Sequence, residues 1–155
     1  MHNSFKDVKS VLVVLSSGAQ AFDQPALRKL ITLTYPGAAV FFVTTSGGAM
    51  GVAGPNRVDL VIDFTKPGAR QSMFFARGMR NRGAQTVGRN AGWFYRRKHY
   101  DRVFDESSDP ARPADFNDSE VWAQRKVLEL AGVAIVHQGG VMPDRSKEIA
   151  LENNT

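Results

Sequence analysis

Aromatic and basic side chains are interleaved in one short segment, Gly92-Trp-Phe-Tyr-Arg-Arg-Lys-His-Tyr100. Flat rings stack on sugar faces or on bases, and the forked guanidinium group of arginine binds phosphate at two points. These residue types predict a ligand-facing surface made of Arg89, Trp93, Tyr95, Arg96 and Arg97. The alternative is that Trp93 and Phe94 are core residues and the arginines only solvate a loop.

Basic residues are concentrated between positions 70 and 102, where nine lysines and arginines accompany a single acid, Asp101. This stretch carries +8, whereas the remainder of the chain, with eleven basic and fourteen acidic residues, carries −3. Clustered charge attracts phosphates at a distance, so the asymmetry indicates an anionic partner for one face. A solvated basic helix and loop is the alternative.

Small polar residues, Ser16, Ser17 and Gly18, directly follow the first predicted strand. Ligands of open α/β sheets bind where parallel strands end, and the N–H groups that begin the next helix favour an anion there. We therefore predict that these three residues contact the ligand. Serine and glycine are also ordinary turn residues, and that alternative stays open.

Other chemistries find little support in the sequence. The segment Gly47–Gly51 lacks the Gly-Lys-Ser/Thr of a phosphate-binding P-loop, and it follows the second predicted strand, whereas the dinucleotide fingerprint follows the first. The chain has no cysteine, no Gly-x-Ser-x-Gly elbow and only three scattered histidines, His2, His99 and His137. We therefore expect no metal, no cofactor and no serine or cysteine nucleophile. Asp59 and Asp63 share one strand face, where they can pair with arginines or flank a site.

A length of 155 residues suits one domain, and 43% hydrophobic residues suffice for a core. No apolar run approaches the ~20 residues that span a bilayer, and the first residues lack the apolar stretch of a signal peptide. We expect a cytoplasmic protein with no transmembrane segment, in which residues 1–7 and 138–155 are tails and residues 8–137 form the domain.

The elements that must position these residues alternate between strand and helix, which predicts an α/β fold: a single Rossmann-like three-layer domain with a mainly parallel sheet. Val11–Leu15, Ala39–Thr44 and Val58–Ile62 are the predicted neighbouring parallel strands, and Asp23–Tyr35 is helical. A glycine-rich loop or weak helix is predicted for Thr45–Gly54. Later elements are a helix over Arg70–Arg80 with Met73, Phe74, Ala76 and Met79 inward or partly so, and strands near Gln85–Gly88 and Val103–Phe104. They are followed by a helix to Ala131, which is capped by the capping-box-like Asn117–Glu120 and closed by Gly132, and by a last strand over Val133–His137.

Several motifs, in this order, resemble the N-terminal, acceptor-side half of the ADP-heptose:lipopolysaccharide heptosyltransferases, glycosyltransferase family nine. The segments that carry the resemblance are Leu15-Ser-Ser-Gly18, Gln24-Pro-Ala-Leu27, Leu33-Thr-Tyr-Pro-Gly-Ala38, Asn56–Phe64, Gln85-Thr-Val-Gly88 and Asn90–Arg97. They cover roughly residues 8–132. The resemblance implies one half of a two-domain GT-B glycosyltransferase, the half that binds the sugar acceptor.

The chain departs from that family at the position that would do the chemistry. The family pattern has Gly-Asp after the first strand, with the acid as catalytic base, and this chain has Ala19 there. Alanine cannot accept a proton, and the domain that would bind the nucleotide sugar is absent from the sequence. The resemblance therefore implies a glycosyltransferase-like domain that is non-catalytic by itself, unless a separate chain supplies the donor domain.

The expected ligand is an anionic saccharide, a sugar phosphate or a lipid-linked sugar of cell-envelope polysaccharide metabolism, with peripheral inner-membrane association as a further expectation. A rival hypothesis is a nucleic-acid or phospholigand-binding module that uses residues 70–102. Within this rival hypothesis, nucleic acid is the weaker candidate ligand, because the sequence contains no recognisable nucleic-acid-binding motif.

Overall fold

The first β–α–β unit builds one side of the sheet. The computed structural model describes residues 4–15, 23–46, 49–50, 57–67, 70–91 and 98–133. Strand β1 (Ser10–Leu15) runs parallel to β2 (Ala39–Ser46), and α1 (Gln24–Thr34) connects them. β1 is a run of Val and Leu buried on both faces, as expected for a strand covered by helices on each side. The predicted parallel pairing of the first two strands is confirmed.

Helix α1 begins and ends as its sequence predicts. The Asp23 carboxylate accepts a hydrogen bond from the backbone N–H of Ala26 at 3.2 Å, which satisfies one of the free donors of the first turn. Leu27, Leu30 and Ile31 are buried and form the stripe that packs on the sheet.

The remaining strands complete the sheet, three of them on the other side of β1 and one beyond β2. They are β3 (Ala49–Met50), β4 (Leu60–Asp63), β5 (Gln85–Asn90) and β6 (Arg102–Asp105), and the spatial order is β3-β2-β1-β4-β5-β6. Of the six strands in the described residues, five are parallel and β3 runs antiparallel, pairing with the last two residues of β2. The predicted α/β fold with a mainly parallel sheet is confirmed. The predicted loop or weak helix over Thr45–Gly54 is wrong at its described residues, which are strand.

Helices cover both faces of the sheet and give three layers. α1 and α3 (Phe116–Leu130) pack on one face, against Val11, Val13 and Ile62 among others. α2 (Arg70–Asn81) packs on the other face through Met73, Ala76 and Met79. Phe74, predicted to face inward or partly so, is 56% exposed and lies mainly on the outer side of α2. In the described part of the chain, no helix is both long and apolar enough to cross a bilayer.

Helix α3 starts two residues before its predicted beginning. Asp115, rather than Asn117, caps it, and its carboxylate accepts from the backbone N–H of Asp118 at 3.1 Å. The helix closes as expected at Gly132, which has a φ of 80°. A side chain at Gly132 would also collide with the backbone of Ser4.

The first described residues lie against the domain. The backbone N–H of Phe5 donates to the Tyr35 hydroxyl at 3.0 Å, and the Phe5 ring lies 3.8 Å below the Arg102 guanidinium. Part of the predicted tail 1–7 is therefore packed on the core. Residues 134–155, with His137, the predicted last strand and the predicted tail 138–155, lie outside the described residues.

Candidate functional site

The strand order creates one crevice where the connections part. From β1 the chain passes outward to β2, then returns across β1 to form β4, β5 and β6. Connections on the two sides of β1 therefore diverge between the carboxyl ends of β1 and β4. Ligands of doubly wound sheets bind at such a switch point. We call the rim formed by Leu15, Asp63–Lys66, Asn90 and Asp105 the carboxyl edge.

Most of the predicted ligand-binding residues lie outside the described part of the chain. These are Ser16, Ser17, Gly18, Trp93, Tyr95, Arg96 and Arg97, together with Ala19 at the presumed catalytic position. The strands that lead into them end at the same edge, β1 at Leu15 and β5 at Asn90. Only β4 separates these two strands, so their ends lie about 10 Å apart.

Arg89 is the one predicted ligand-binding residue that the structure describes, and it is buried rather than facing a ligand. Its side chain is 1% exposed and lies between β5, β6 and α3. It donates to Glu106 through Nε and Nη2 at 3.0 and 3.1 Å, and to Glu120 through Nη1 and Nη2, both at 3.0 Å. Nη1 also donates to the carbonyl of Phe64. The expectation that Arg89 is an exposed phosphate clamp is therefore wrong.

The charges around Arg89 keep it ionised. Burial works against the charged guanidinium, but the hydrogen bonds that Arg89 donates to Glu120 and Glu106 outweigh it and raise the pKa of Arg89 above its ordinary value. One cation with two carboxylates leaves this group, which we call the Arg89 cluster, with a formal charge of −1. Such a cluster fixes α3 and β6 against the end of β5.

A second buried polar group occupies the opposite face of the sheet at the same edge. The Asp63 carboxylate accepts from the backbone N–H of Thr65 at 2.9 Å, and the hydroxyls of Thr65 and Tyr100 donate to it at 2.5 Å. Ser72 of α2 lies 2.6 Å from the Thr65 hydroxyl. We call these residues the Asp63 cluster. Its hydrogen bonds connect β4 to α2 and, through Tyr100, to the end of the aromatic–basic segment.

Exposed cations lie at this edge beside the start of α2. Lys66 follows the Asp63 cluster, and its Nζ lies 5.0 Å from the centre of the Phe116 ring. Arg70, the first residue of α2, is exposed as well. The start of a helix carries partial positive charge, which adds to that of these side chains. The surface of this edge is therefore electropositive beside the start of α2, whereas half-buried Asp105 lies at its β6 end.

The described residues supply anion binding more readily than acid–base chemistry. Both oxygens of Asp63 accept hydrogen bonds inside the protein and the residue is 0% exposed, so its carboxylate does not reach a substrate hydroxyl. Asp59 lies at the other end of β4 and binds the backbone N–H of Lys9 at 2.8 Å. No group of three metal-ligating side chains occurs among the described residues.

Sequence reasoning missed both clusters for an identifiable reason. Glu106 and Glu120 are 17 and 31 residues from Arg89, and both lie in segments whose acids read as surface charge. One signal was available for Asp63, since this acid ends the apolar strand β4, which is buried at every residue. Comparisons with protein-family models, with curated proteins and with solved structures gave no match.

Proposed function

We propose that this chain is a cytoplasmic, glycosyltransferase-like domain that binds an anionic saccharide or lipid-linked sugar at the carboxyl edge and transfers no sugar by itself. The observation that carries the proposal is the strand order, which puts a switch point between β1 and β4. Both predicted ligand-binding segments follow strands that end at this edge.

Charge supports an anionic ligand. Lys66 and Arg70 are exposed beside the crevice, and Arg96 and Arg97 belong to the segment that follows β5. Phosphate on a sugar would meet arginine in two-point contacts, while aromatic rings take the sugar face. A lipid-linked form of the sugar would bring the domain to the inner membrane as a peripheral protein.

The lack of catalysis follows from two positions. Ala19 stands where the resembling heptosyltransferases have an acid, and Asp63 is buried and fully engaged. Transfer would also need a donor domain in the same cleft, and a separate chain is the partner that could supply it.

Binding is tested by titrating the protein with a hexose 1-phosphate and, separately, with the unphosphorylated hexose, while recording amide NMR spectra. We expect shifts at Leu15, Lys66 and Asn90 with the phosphorylated sugar only. Reversal of Arg96 and Arg97 to glutamate should weaken binding at least tenfold. The matched control is reversal of Arg77 and Arg82, which are exposed but lie on α2 and beyond its end, and it should leave sugar phosphate binding within twofold.

A separate assay tests the absence of transfer. The protein is incubated with a nucleotide sugar and a lipopolysaccharide core acceptor, and the molecular mass of the acceptor is then measured by mass spectrometry. An unchanged acceptor mass is expected. Formation of glycosylated acceptor by this chain alone would overturn the claim that it transfers no sugar by itself. In the titration, equal binding of the phosphorylated and unphosphorylated hexose would overturn the claim that the ligand is anionic.

A further inference from the structure

The outward side of α2 and the residues at its ends form a continuous basic surface. Its cations are all exposed, and an exposed phenylalanine, Phe74, lies among them. The members are Arg57, Arg70, Phe74, Arg77, Arg80, Arg82 and Lys98, which we call the α2 surface. Arg57 joins it at the end of α2, because its Nη2 lies 3.8 Å from where a Cβ of Gly83 would be.

Acidic residues are nearly absent from this surface. The sequence contains none between Asp23 and Asp59 or between Asp63 and Asp101. Asp63 is buried, and Asp59 binds the backbone at the start of β1. Asp101 forms a 3.1 Å ion pair with Arg80, which neutralises one of the six cations. Six exposed cations in a part of the sequence this poor in acids point to a polyanion rather than to a mixed protein surface.

Phe74 gives the surface a second property. Arg70 and Arg77 lie four residues before it and three after it, so they are its neighbours one turn away on the same helix face. The edge of its ring meets His99, with centroids 5.9 Å apart at 68°, which holds the ring in place while leaving it 56% exposed. A single exposed phenylalanine is unremarkable, but one between two arginines combines a stacking platform with two phosphate-binding groups.

We infer that the α2 surface binds single-stranded nucleic acid, with a base stacked on Phe74 and phosphates on the arginines around it. An anionic membrane fits less well, because an interfacial helix inserts a whole apolar face and α2 exposes only one large apolar side chain. A second copy of the chain also fits less well. The acid-rich segment Asp105–Asp118 of one copy would have to dock on the α2 surface of another, and contacts between two different surfaces give open-ended chains rather than closed dimers.

This binding is separable from the proposed sugar site, because the two sites share only Arg70. The α2 surface extends along α2 away from the carboxyl edge, and Arg70 to Arg77 alone span about 10 Å. Arg96 and Arg97 are not members of it. Variants on α2 and in the aromatic–basic segment therefore separate the two activities.

The test measures binding of a fluorescent 12-nucleotide single-stranded RNA of mixed sequence, of its duplex and of inorganic polyphosphate, by anisotropy at several salt concentrations. Arg77→Gln should reduce RNA affinity, leave sugar phosphate binding within twofold, and lower the slope of log K against log salt by about 0.7 for each phosphate that is no longer neutralised. Phe74→Ala should weaken RNA binding by about fivefold to a hundredfold and leave polyphosphate binding within twofold. Circular dichroism confirms that each variant is folded.

Other results would overturn the inference. Equal loss of RNA and polyphosphate binding in Phe74→Ala, or tighter binding of the duplex, would exclude a stacked single strand. Binding to vesicles containing anionic lipid, with no RNA binding at the same salt concentration, would assign the surface to membranes. Concentration-dependent self-association that Arg77→Gln abolishes would assign it to a second copy.

Discussion

Arg89 and Asp63 occupy equivalent places on opposite faces of the sheet and are stabilised by different means. Each lies at the carboxyl end of a central strand, and each is essentially inaccessible to water. The arginine is surrounded by two carboxylates from β6's end and α3. The carboxylate accepts hydrogen bonds from hydroxyl and backbone N–H donors close to it.

The difference shows how the two outer layers are attached. Removing a partner from the Arg89 cluster leaves an uncompensated charge in the interior, whereas removing a donor from the Asp63 cluster leaves the other donors in place. We therefore expect the α3 side to respond to mutation in a nearly all-or-none way. The α2 side should lose stability in smaller steps.

The largest expected effect comes from removing the buried cation. Arg89→Met leaves Glu106, which is 4% exposed, beside Glu120 with no cation between them. The free energy of unfolding should fall by about 3–5 kcal/mol, measured by urea denaturation. The variant Arg89→Met/Glu106→Leu is the matched control, and it should recover most of the loss.

A loss below about 1 kcal/mol in Arg89→Met would show that water replaces the guanidinium, and the contrast between the two clusters would disappear. A double variant as unstable as the single one would attribute the effect to packing around Arg89 rather than to charge.

A substitution at Gly88 disrupts the Asp63 cluster indirectly, because Gly88 packs against the Tyr100 ring. A Cβ on Gly88 would overlap three atoms of the Tyr100 ring, so Gly88→Ala must displace the ring whose hydroxyl donates to Asp63. We expect a loss of about 3 kcal/mol from overpacking and the broken hydrogen bond together. Gly78→Ala is the control, because nothing lies within 4 Å of its added methyl group. It should stabilise α2 by about 0.5–1 kcal/mol. An unchanged free energy of unfolding in Gly88→Ala would mean that the Tyr100 ring moves aside at no cost.

Removing only the Tyr100 hydroxyl isolates the hydrogen bond. Tyr100→Phe should cost about 2 kcal/mol, because the bond is to a charged group, while Thr65 continues to donate to Asp63. In combination with Asp63→Asn the two losses should be non-additive by at least about 1 kcal/mol. If the two losses in free energy of unfolding simply add, Tyr100 and Asp63 are not energetically coupled, and the Asp63 cluster does not act as a unit.

The fold was accessible from the sequence because its signals are local. Apolar runs of strand length alternate with an amphipathic stripe after a capping Asp23, and parallel pairing follows from short right-handed crossovers. The same logic failed at Phe74, where hydrophobicity alone suggested burial. A helix of twelve residues on one sheet face has room inward for only one stripe, and Met73, Ala76 and Met79 fill it.

The candidate site was accessible only in part. The position of Ser16–Gly18 after β1 follows from the topology of any open α/β sheet. The environment of Arg89 does not, because its partners are brought together by β6 and α3, and a basic stretch in the sequence does not distinguish a buried arginine from exposed ones. The charge pattern of a sequence predicts a charged surface only from those residues whose side chains remain exposed in the folded protein.

The smallest expected effect concerns Tyr35, a buried hydroxyl at the opposite edge of the sheet that serves as a reference for Tyr100. It accepts from the N–H of Phe5 and donates to the carbonyl of Ala131, and neither partner is charged. Tyr35→Phe should therefore cost about 1 kcal/mol at neutral pH, less than Tyr100→Phe. Burial raises the pKa of Tyr35 above the ordinary value of about 10, against weaker opposing effects of Phe5 and Arg102.

The raised pKa fixes the direction of the pH dependence for this variant. The unfolded chain releases the Tyr35 proton first, so the stability that this group contributes is complete below pH ~10 and declines as the pH rises through the folded pKa. Urea denaturation at pH ~8, ~9.5 and ~10.5 should show the advantage of the wild type over Tyr35→Phe narrowing, because the other tyrosines titrate equally in both proteins. An advantage that grows with pH would mean that the folded protein stabilises the phenolate, in conflict with a hydroxyl buried between neutral partners.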